Sequence, residues 1–301
     1  MLYFFQQVLN GLHSGALYAL LAFGYALTNG ILHRINLAYG ALFAFCGQTM
    51  ILVAVFGYQV LWLTLPATIA LGIVAAFAYA ALASRILSRH IFEPRAGRAP
   101  NAVVATSLGV LLVLSEAARI AAETHDFWQP PLLAQPVVFA EDGTFRATLT
   151  TIQLLDCAIV AATIALAGWG LARSRFGRRW RAVSDDPFMA ALCGVDTSSV
   201  FRSAVLAGGL CAALAGVMAG LYFGNIGFGA GLTYGLKILF VTAVGGYLSP
   251  VQAALGAAAF GMGESLWAGY FPIEWRDAWM YALLVAMLVL AGAGSQRRKA
   301  A

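Results

Sequence analysis

Four ionisable side chains stand inside or beside long apolar runs of this 301-residue chain: Glu116, Arg119, Asp156 and Glu264. Glu116 and Arg119 are three apart, so on one helix they are neighbours and can pair as a structural element. Asp156 sits one turn into its apolar run, where it can reach the outer interface. Glu264 has no such exit. A carboxylate facing lipid at mid-depth costs about 2.5–3.5 kcal/mol, so Glu264 must turn toward the interior of a helix bundle. There it either hydrogen-bonds a neighbouring helix or marks a polar point on a pathway. His13, His33, His90 and His125 are scattered and suggest neither a metal cluster nor a proton relay. Cys46, Cys157, Cys193 and Cys211 lack CxxC spacing, so no disulfide framework or zinc site is indicated. No HExxH pair is present, which argues against an intramembrane metalloenzyme. Lys237 is followed by Ile238 and Lys299 by Ala300, so neither stands in the G-x-x-x-x-G-K-[ST] loop that cradles a triphosphate.

The elements that must position these groups are membrane helices. The chain is 61% hydrophobic and 10% charged, against about 25% charged in a soluble domain. Its mean hydropathy is +0.81. The expected fold is an all-α polytopic membrane protein, one transmembrane domain over 1–301. It has about eight to nine spans, placed near 8–29, 37–56, 61–83, 102–122, 151–172, 203–224, 236–248, 250–268 and 277–293, each apolar run being judged against the roughly 20 residues a bilayer requires. The seventh is too short for a straight crossing and reads as a broken helix buried among its neighbours. The opening MLYFFQQVLNG has no basic residue before its apolar run, so the first helix is expected to be retained.

The net charge of +5 is not a nucleic-acid signature here, because basic residues in a membrane protein mark the cytoplasmic side. With the amino terminus outside, the inner segments hold Arg34, Arg85, Arg89, Arg95, Arg98, Arg173, Arg175, Arg178, Arg179, Arg181, Arg202, Arg297, Arg298 and Lys299. Only Arg119, Arg146, Lys237 and Arg276 lie toward the other side. The expected topology is amino terminus out, carboxyl terminus in. The longest outer loop, 123–150, carries several prolines, Asp126 and the run Glu141-Asp142-Gly143, which predicts a short extended hairpin. It is a solvated connector or a landing surface for an extracytoplasmic partner.

The inner stretch 173–202 is the polar exception. Ser184, Asp185 and Asp186 precede Pro187, an arrangement that starts a helix, since carboxylates favour its positive end and proline fits its first turn. Phe188, Met189, Leu192 and Val195 recur at helical spacing and Gly194 ends the segment. This predicts a two-turn amphipathic helix along the cytoplasmic face. It either rests in the headgroups, with its arginines on anionic lipid, or docks on a partner. Ala190 and Gly194, four apart, would share a small-residue side. Two glycine patterns lie elsewhere. Gly216, Gly220 and Gly224 repeat every four residues and make a smooth helix face suited to close packing, with sliding as the alternative. Gly245-Gly246 stands before Ser249-Pro250, and such a glycine-broken helix is a common place for backbone to line a cavity.

The stretch "YFFQQVLNGLHSGALYALLAFGYALTNGI" (3–31) resembles the amino terminus of LivH-type permeases of branched-chain amino acid ABC transporters. The resemblance continues in order through "INLAYG" (35–40), "SRFGRRWRAVSDDPFMAALCGV" (174–195), "AVGGYLSP" (243–250) and "GMGESL" (261–266), covering nearly the whole chain. It implies that the polar insert is a coupling helix docking on a separate ATPase, with Asp185, Asp186, Pro187, Ala190 and Gly194 at the matching positions and Arg175, Gly177 and Arg178 as the basic approach. It also implies a substrate pathway along Asn36, Tyr39, Gly40, Gly245, Gly246 and Glu264. This chain departs from the pattern at Tyr39, where the family usually has histidine, and at Leu248 and Gln252, where it usually has glycine. The solute class implied is a branched-chain amino acid or a related amino acid, amide or urea.

The same resemblance implies partners: a second, LivM-like permease, two cytoplasmic ATPase subunits that bind ATP and magnesium, and an extracytoplasmic solute-binding protein, all at a bacterial inner membrane. No cofactor is expected in this chain itself, and membrane lipid rather than nucleic acid surrounds it. The competing reading is a stand-alone secondary transporter or channel, which would need its own coupling-ion site.

Overall fold

The computed structural model describes residues 2–93, 100–123, 125, 127–142, 145–227, 229–246 and 249–299. Arg95, Arg98, Asp126, Gly143 and Leu248, all named above, lie outside them. In chain order the described elements are α1 (Leu2–Leu32), α2 (Ala38–Gln59) and α3 (Leu65–Ile86) with a π-helical turn Leu87–Phe92. Then follow α4 (Pro100–Ala121), the antiparallel pair β1 (Pro136–Asp142) and β2 (Phe145–Thr150), and α5 (Thr151–Arg173). The short helices α6 (Arg175–Asp185) and α7 (Pro187–Leu192) lead into α8 (Thr197–Phe223), α9 (Ala230–Gly245), α10 (Pro250–Tyr270) and α11 (Arg276–Lys299).

Among the described residues, six helices are long and apolar enough to cross a membrane, or seven if α9 and α10 count as one span. This corrects the expected eight to nine. The short segment predicted at 236–248 and the longer one at 250–268 form one pair, α9 and α10, whose axes differ by 117°, and α11 is not among the six. The hairpin expected within 123–150 is present, the one β element among otherwise helical described residues.

The core forms around α1. Its 31 residues rise about 46 Å, longer than the roughly 30 Å hydrocarbon layer. Apolar and small residues surround it on all sides, hence its near-complete burial between α8, α9, α10 and α5. The Gly216–Gly220 stripe of α8 packs on Gly47 of α2, as a small-residue face should, whereas Gly224 ends the helix at φ 73°.

Each end of α1 carries a polar attachment. At its start, Gln6 binds β2 twice: Nε2 donates to the Thr148 carbonyl at 3.0 Å and Oε1 accepts from the Thr148 N–H at 2.7 Å. At its other end, Trp180 Nε1 of α6 donates to the Leu27 carbonyl at 3.0 Å, and Ser184 Oγ donates to the Gly30 carbonyl at 2.6 Å. The π-helical turn and the start of α8 join that same end through Leu32, Leu87, Phe92, Phe201 and Val205. Arg34, Arg85, Arg89, Arg202 and the arginines of α6 therefore gather at the end of the molecule opposite the hairpin.

Candidate functional site

Three short polar side chains shape the insert. Ser174 Oγ accepts from the Gly177 N–H at 3.1 Å and starts α6. Asp186 Oδ1 accepts from the N–H groups of Phe188 and Met189 at 2.8 and 3.0 Å and starts α7, with Pro187 in its first turn. Asp196 Oδ1 does the same for α8 through the Ser199 N–H at 3.0 Å. Each satisfies donors that a helix start leaves open. Gly194 turns the chain after α7 at φ 80°, a left-handed conformation that a side chain would strain.

The basic approach is therefore a helix of its own, which the sequence reading did not separate from α7. Gly177, Trp180, Val183 and Ser184 form its buried side, while Arg175, Arg178, Arg179 and Arg181 are exposed. Asp185, Asp186 and Pro187 are exposed at the α6–α7 corner. The expected shared small-residue side of Ala190 and Gly194 is corrected. Ala190 is 5% exposed and belongs to the main core, whereas Gly194 is exposed. The side of α7 that faces outward consists instead of Phe188, Met189 and Leu192, exposed by 69%, 57% and 68%. Three large apolar side chains beside a row of arginines make a surface that a protein partner can cover.

The second feature is a buried charge network. Lys237 Nζ of α9 donates to Glu264 Oε1 of α10 at 2.8 Å and to Asp277 Oδ1 of α11 at 3.0 Å. Arg276 Nε stands 3.4 Å from Glu264 Oε1 and 3.3 Å from Asp277 Oδ1. Lys237 and Glu264 are buried, while Asp277 is half-exposed, so the network opens to the surface on one side. Glu264 faces the interior as the cost of lipid exposure requires. Lys237 is its partner, although the sequence reading had placed that lysine toward the outer side. Two opposite charges in apolar runs 27 residues apart were the available signal.

Of the predicted pathway residues, Gly40, Gly245, Gly246 and Glu264 lie on or against α9. A methyl group on Gly40 would strike the backbone of Gly231 and Gly235, so α2 and α9 meet there at the closest backbone approach. Two residues on, Lys237 reaches Glu264, and Gly245 at the end of α9 packs on Ala253 of α10. Gly246 ends the helix at φ 92°. Asn36 and Tyr39 are buried rather than lining an opening. Asn36 donates its N–H to Tyr25 Oη at 3.2 Å and its Oδ1 accepts from the Ala38 N–H at 3.1 Å. Tyr39 stands edge-on to Tyr25 at 5.5 Å.

Two further expectations meet the structure. Glu116 and Arg119 pair on the exposed side of α4, as their spacing predicted. Asp156 does not reach the interface. It is buried 3.9 Å from His13 of α1, beside Gln153, whose Nε2 donates to Tyr222 Oη at 3.0 Å. The spacing within α5 alone could not show which way Asp156 points.

Comparison with known proteins follows the same residues. Positions 7–291 match the family model described as branched-chain amino acid transport system, permease component. The chain is similar to the high-affinity branched-chain amino acid transport system permease protein LivH of Escherichia coli K12, 30% identical over 297 residues, covering 97% of this chain and 95% of the relative. It is 29% identical to LivH of Salmonella typhimurium LT2 over the same length and coverage. BraD of Pseudomonas aeruginosa is 28% identical over 300 residues, again covering 97% and 95%. No solved structure matches the chain at a significant level. The protein is a multi-pass membrane transport subunit, homologous to bacterial inner-membrane permeases. The chain belongs to the branched-chain amino acid transport system permease family.

Proposed function

We propose that the chain is the membrane-spanning permease of an ABC importer that conducts a branched-chain amino acid or a related small polar solute, an amino acid, amide or urea. One observation carries this reading. The α6–α7 insert is tied to α1, the central helix, through Trp180 and Ser184, while it turns Phe188, Met189 and Leu192 outward. A push on that outward side is delivered to the main chain of α1 near Leu27 and Gly30, without passing through a flexible loop. The exposed apolar side of α7 is the docking surface for a cytoplasmic ATPase that binds ATP and magnesium, and Arg175 and Arg178 flank it. Asp185, Asp186 and Pro187 set its corner, and Gly194 frees the chain to enter α8. Gly177 and Ala190 act from beneath, by letting the insert lie close to α5 and α8.

Within the membrane, α9 borders the solute path, because Gly40, Gly245-Gly246 and Glu264 all meet it. Asn36 and Tyr39 hold the start of α2 against α1 and so fix the opposite wall. A second, LivM-like permease completes the path, and a solute-binding protein approaches from the hairpin side. Amino terminus out is the orientation that puts the arginine-rich end in the cytoplasm. Co-purification tests the reading. The tagged chain, expressed with a neighbouring-gene ATPase and permease, should bring both down in stable amounts. Its recovery alone under those conditions contradicts the assignment.

A further inference from the structure

The π-helical turn after α3 and the first turns of α8 face each other with the same kind of surface. Arg85, Ser88 and Arg89 are spaced i, i+3, i+4, and so are Ser199, Arg202 and Ser203. Each set forms one side of its helix. The alternate sides, Leu87 and Phe92 against Phe201 and Val205, are buried together and fix how far apart the polar sides stand. Between them lies an open cleft of about 260 Å³. Ser88 forms its floor, 1% exposed, with its hydroxyl donating to the Arg85 carbonyl at 3.1 Å. Ser203 Oγ donates to the Ser199 carbonyl at 2.8 Å, so both hydroxyl protons are already committed and the arginines are left as the donors of the cleft.

Among the described residues, no carboxylate forms an ion pair with Arg85, Arg89 or Arg202. Arg202 Nε is held by the Ser198 carbonyl at 3.2 Å, which leaves its terminal nitrogens for another acceptor. The nearest acid on α8, Asp196, is occupied as the helix cap. Three forked cations line one cleft with no ion-pair partner among the described residues, an arrangement suited to a multivalent oxyanion. Phosphate is the fit, because its oxygens accept the paired N–H groups of several guanidiniums at once.

We infer that this cleft binds a phosphate group, carried by an anionic phospholipid headgroup or free in solution. Its place at the arginine-rich end, where α3 and α8 leave the apolar layer, lets either source reach it. Bound there, phosphate would clamp the end of α3 to the start of α8, the helix that the α7 insert leads into.

The test uses the full-length permease with its co-purifying subunits, stripped of lipid in detergent. Phosphatidylglycerol or phosphatidylcholine is then added back and retained lipid is counted by native mass spectrometry, with and without millimolar inorganic phosphate. Retention of phosphatidylglycerol over phosphatidylcholine by at least roughly tenfold is expected, since each charge-assisted contact is worth more than a neutral one. Retention that resists inorganic phosphate identifies the headgroup, whereas displacement by it, or direct phosphate binding, identifies the free anion. Arg85→Gln with Arg89→Gln should remove the preference. Arg202→Gln, which alters the α8 side alone, should do the same and serves if the double variant is not recovered folded. Equal retention of both lipids with no phosphate binding, or an unchanged preference in folded variants, overturns the inference.

Discussion

Replacing Lys237 by methionine asks most of the buried network. Among the described residues, Lys237 is the only group that touches both Glu264 and Asp277 at 3.0 Å or less. Without it, Glu264 remains buried with Arg276 Nε at 3.4 Å as its nearest cation. Breaking a buried ion pair from one side costs about 3–5 kcal/mol, because the remaining charge keeps its desolvation penalty and loses its partner. Glu264→Gln differs in kind. The amide oxygen can still accept from Lys237, and Asp277 still neutralises the lysine, so the loss is near 1 kcal/mol, that of a weakened hydrogen bond. Asp277→Asn removes a half-exposed partner and should cost about 0–1 kcal/mol. The order of destabilisation expected is therefore Lys237→Met, then Glu264→Gln, then Asp277→Asn. In the double variant Lys237→Met with Glu264→Gln, no orphan carboxylate remains, so its cost should fall below the sum of the singles by about 1.5–3 kcal/mol. Unfolding free energies from sodium dodecyl sulfate titration in mixed micelles, followed by tryptophan fluorescence, measure all four. Additive single and double costs, or Glu264→Gln costing more than Lys237→Met, would refute the pairing and its assigned asymmetry.

If Glu264 also borders the solute path, Glu264→Gln should assemble normally yet change the rate or selectivity of uptake; unchanged uptake per molecule leaves it a structural acid only. A membrane-impermeant maleimide should label the exposed native Cys193 in inside-out vesicles and not in intact spheroplasts, while an introduced Glu141→Cys shows the reverse. Labelling of both from one side removes the proposed orientation. Gly40→Val should lower stability by about 1–3 kcal/mol or more, since its side chain would meet the backbone of α9, and wild-type thermal stability of that variant would contradict the close approach. Ala190→Trp should reduce the yield of folded permease because Ala190 is in the core, whereas Phe188→Asp should leave yield intact and abolish ATPase co-purification. The reverse pattern would mean that the sides of α7 are exchanged.

The start of α7 was legible because its signal is local: Asp186 caps donors two and three residues on, and Pro187 stands in the first turn. So was the hairpin, whose prolines and glycine announce turns. The α6 helix was hidden by its own charge: four exposed arginines mask the i, i+3, i+4 buried side of Trp180, Val183 and Ser184. The two sides of α7 were assigned the wrong way because sequence shows periodicity but not which neighbour lies beneath. Ala190 is small because the core is close above it, and the larger side chains are those left outside. Long-range pairing was the other loss. Lys237 finds Glu264 only because α9 and α10 fold back on each other at 117°, and His13 finds Asp156 only because α5 returns beside α1.

The central claim is that movement enters through α7 and is driven by a separate ATPase. Uptake of radiolabelled leucine, isoleucine, valine, a small amide and urea into proteoliposomes holding the full complex and its binding protein tests it most directly. At least one solute should accumulate only when ATP is supplied on the side of α7, and Phe188→Asp should stop that accumulation without removing the permease from the vesicles. Uptake by this chain alone, driven by an ion gradient and indifferent to ATP and to Phe188→Asp, would contradict it.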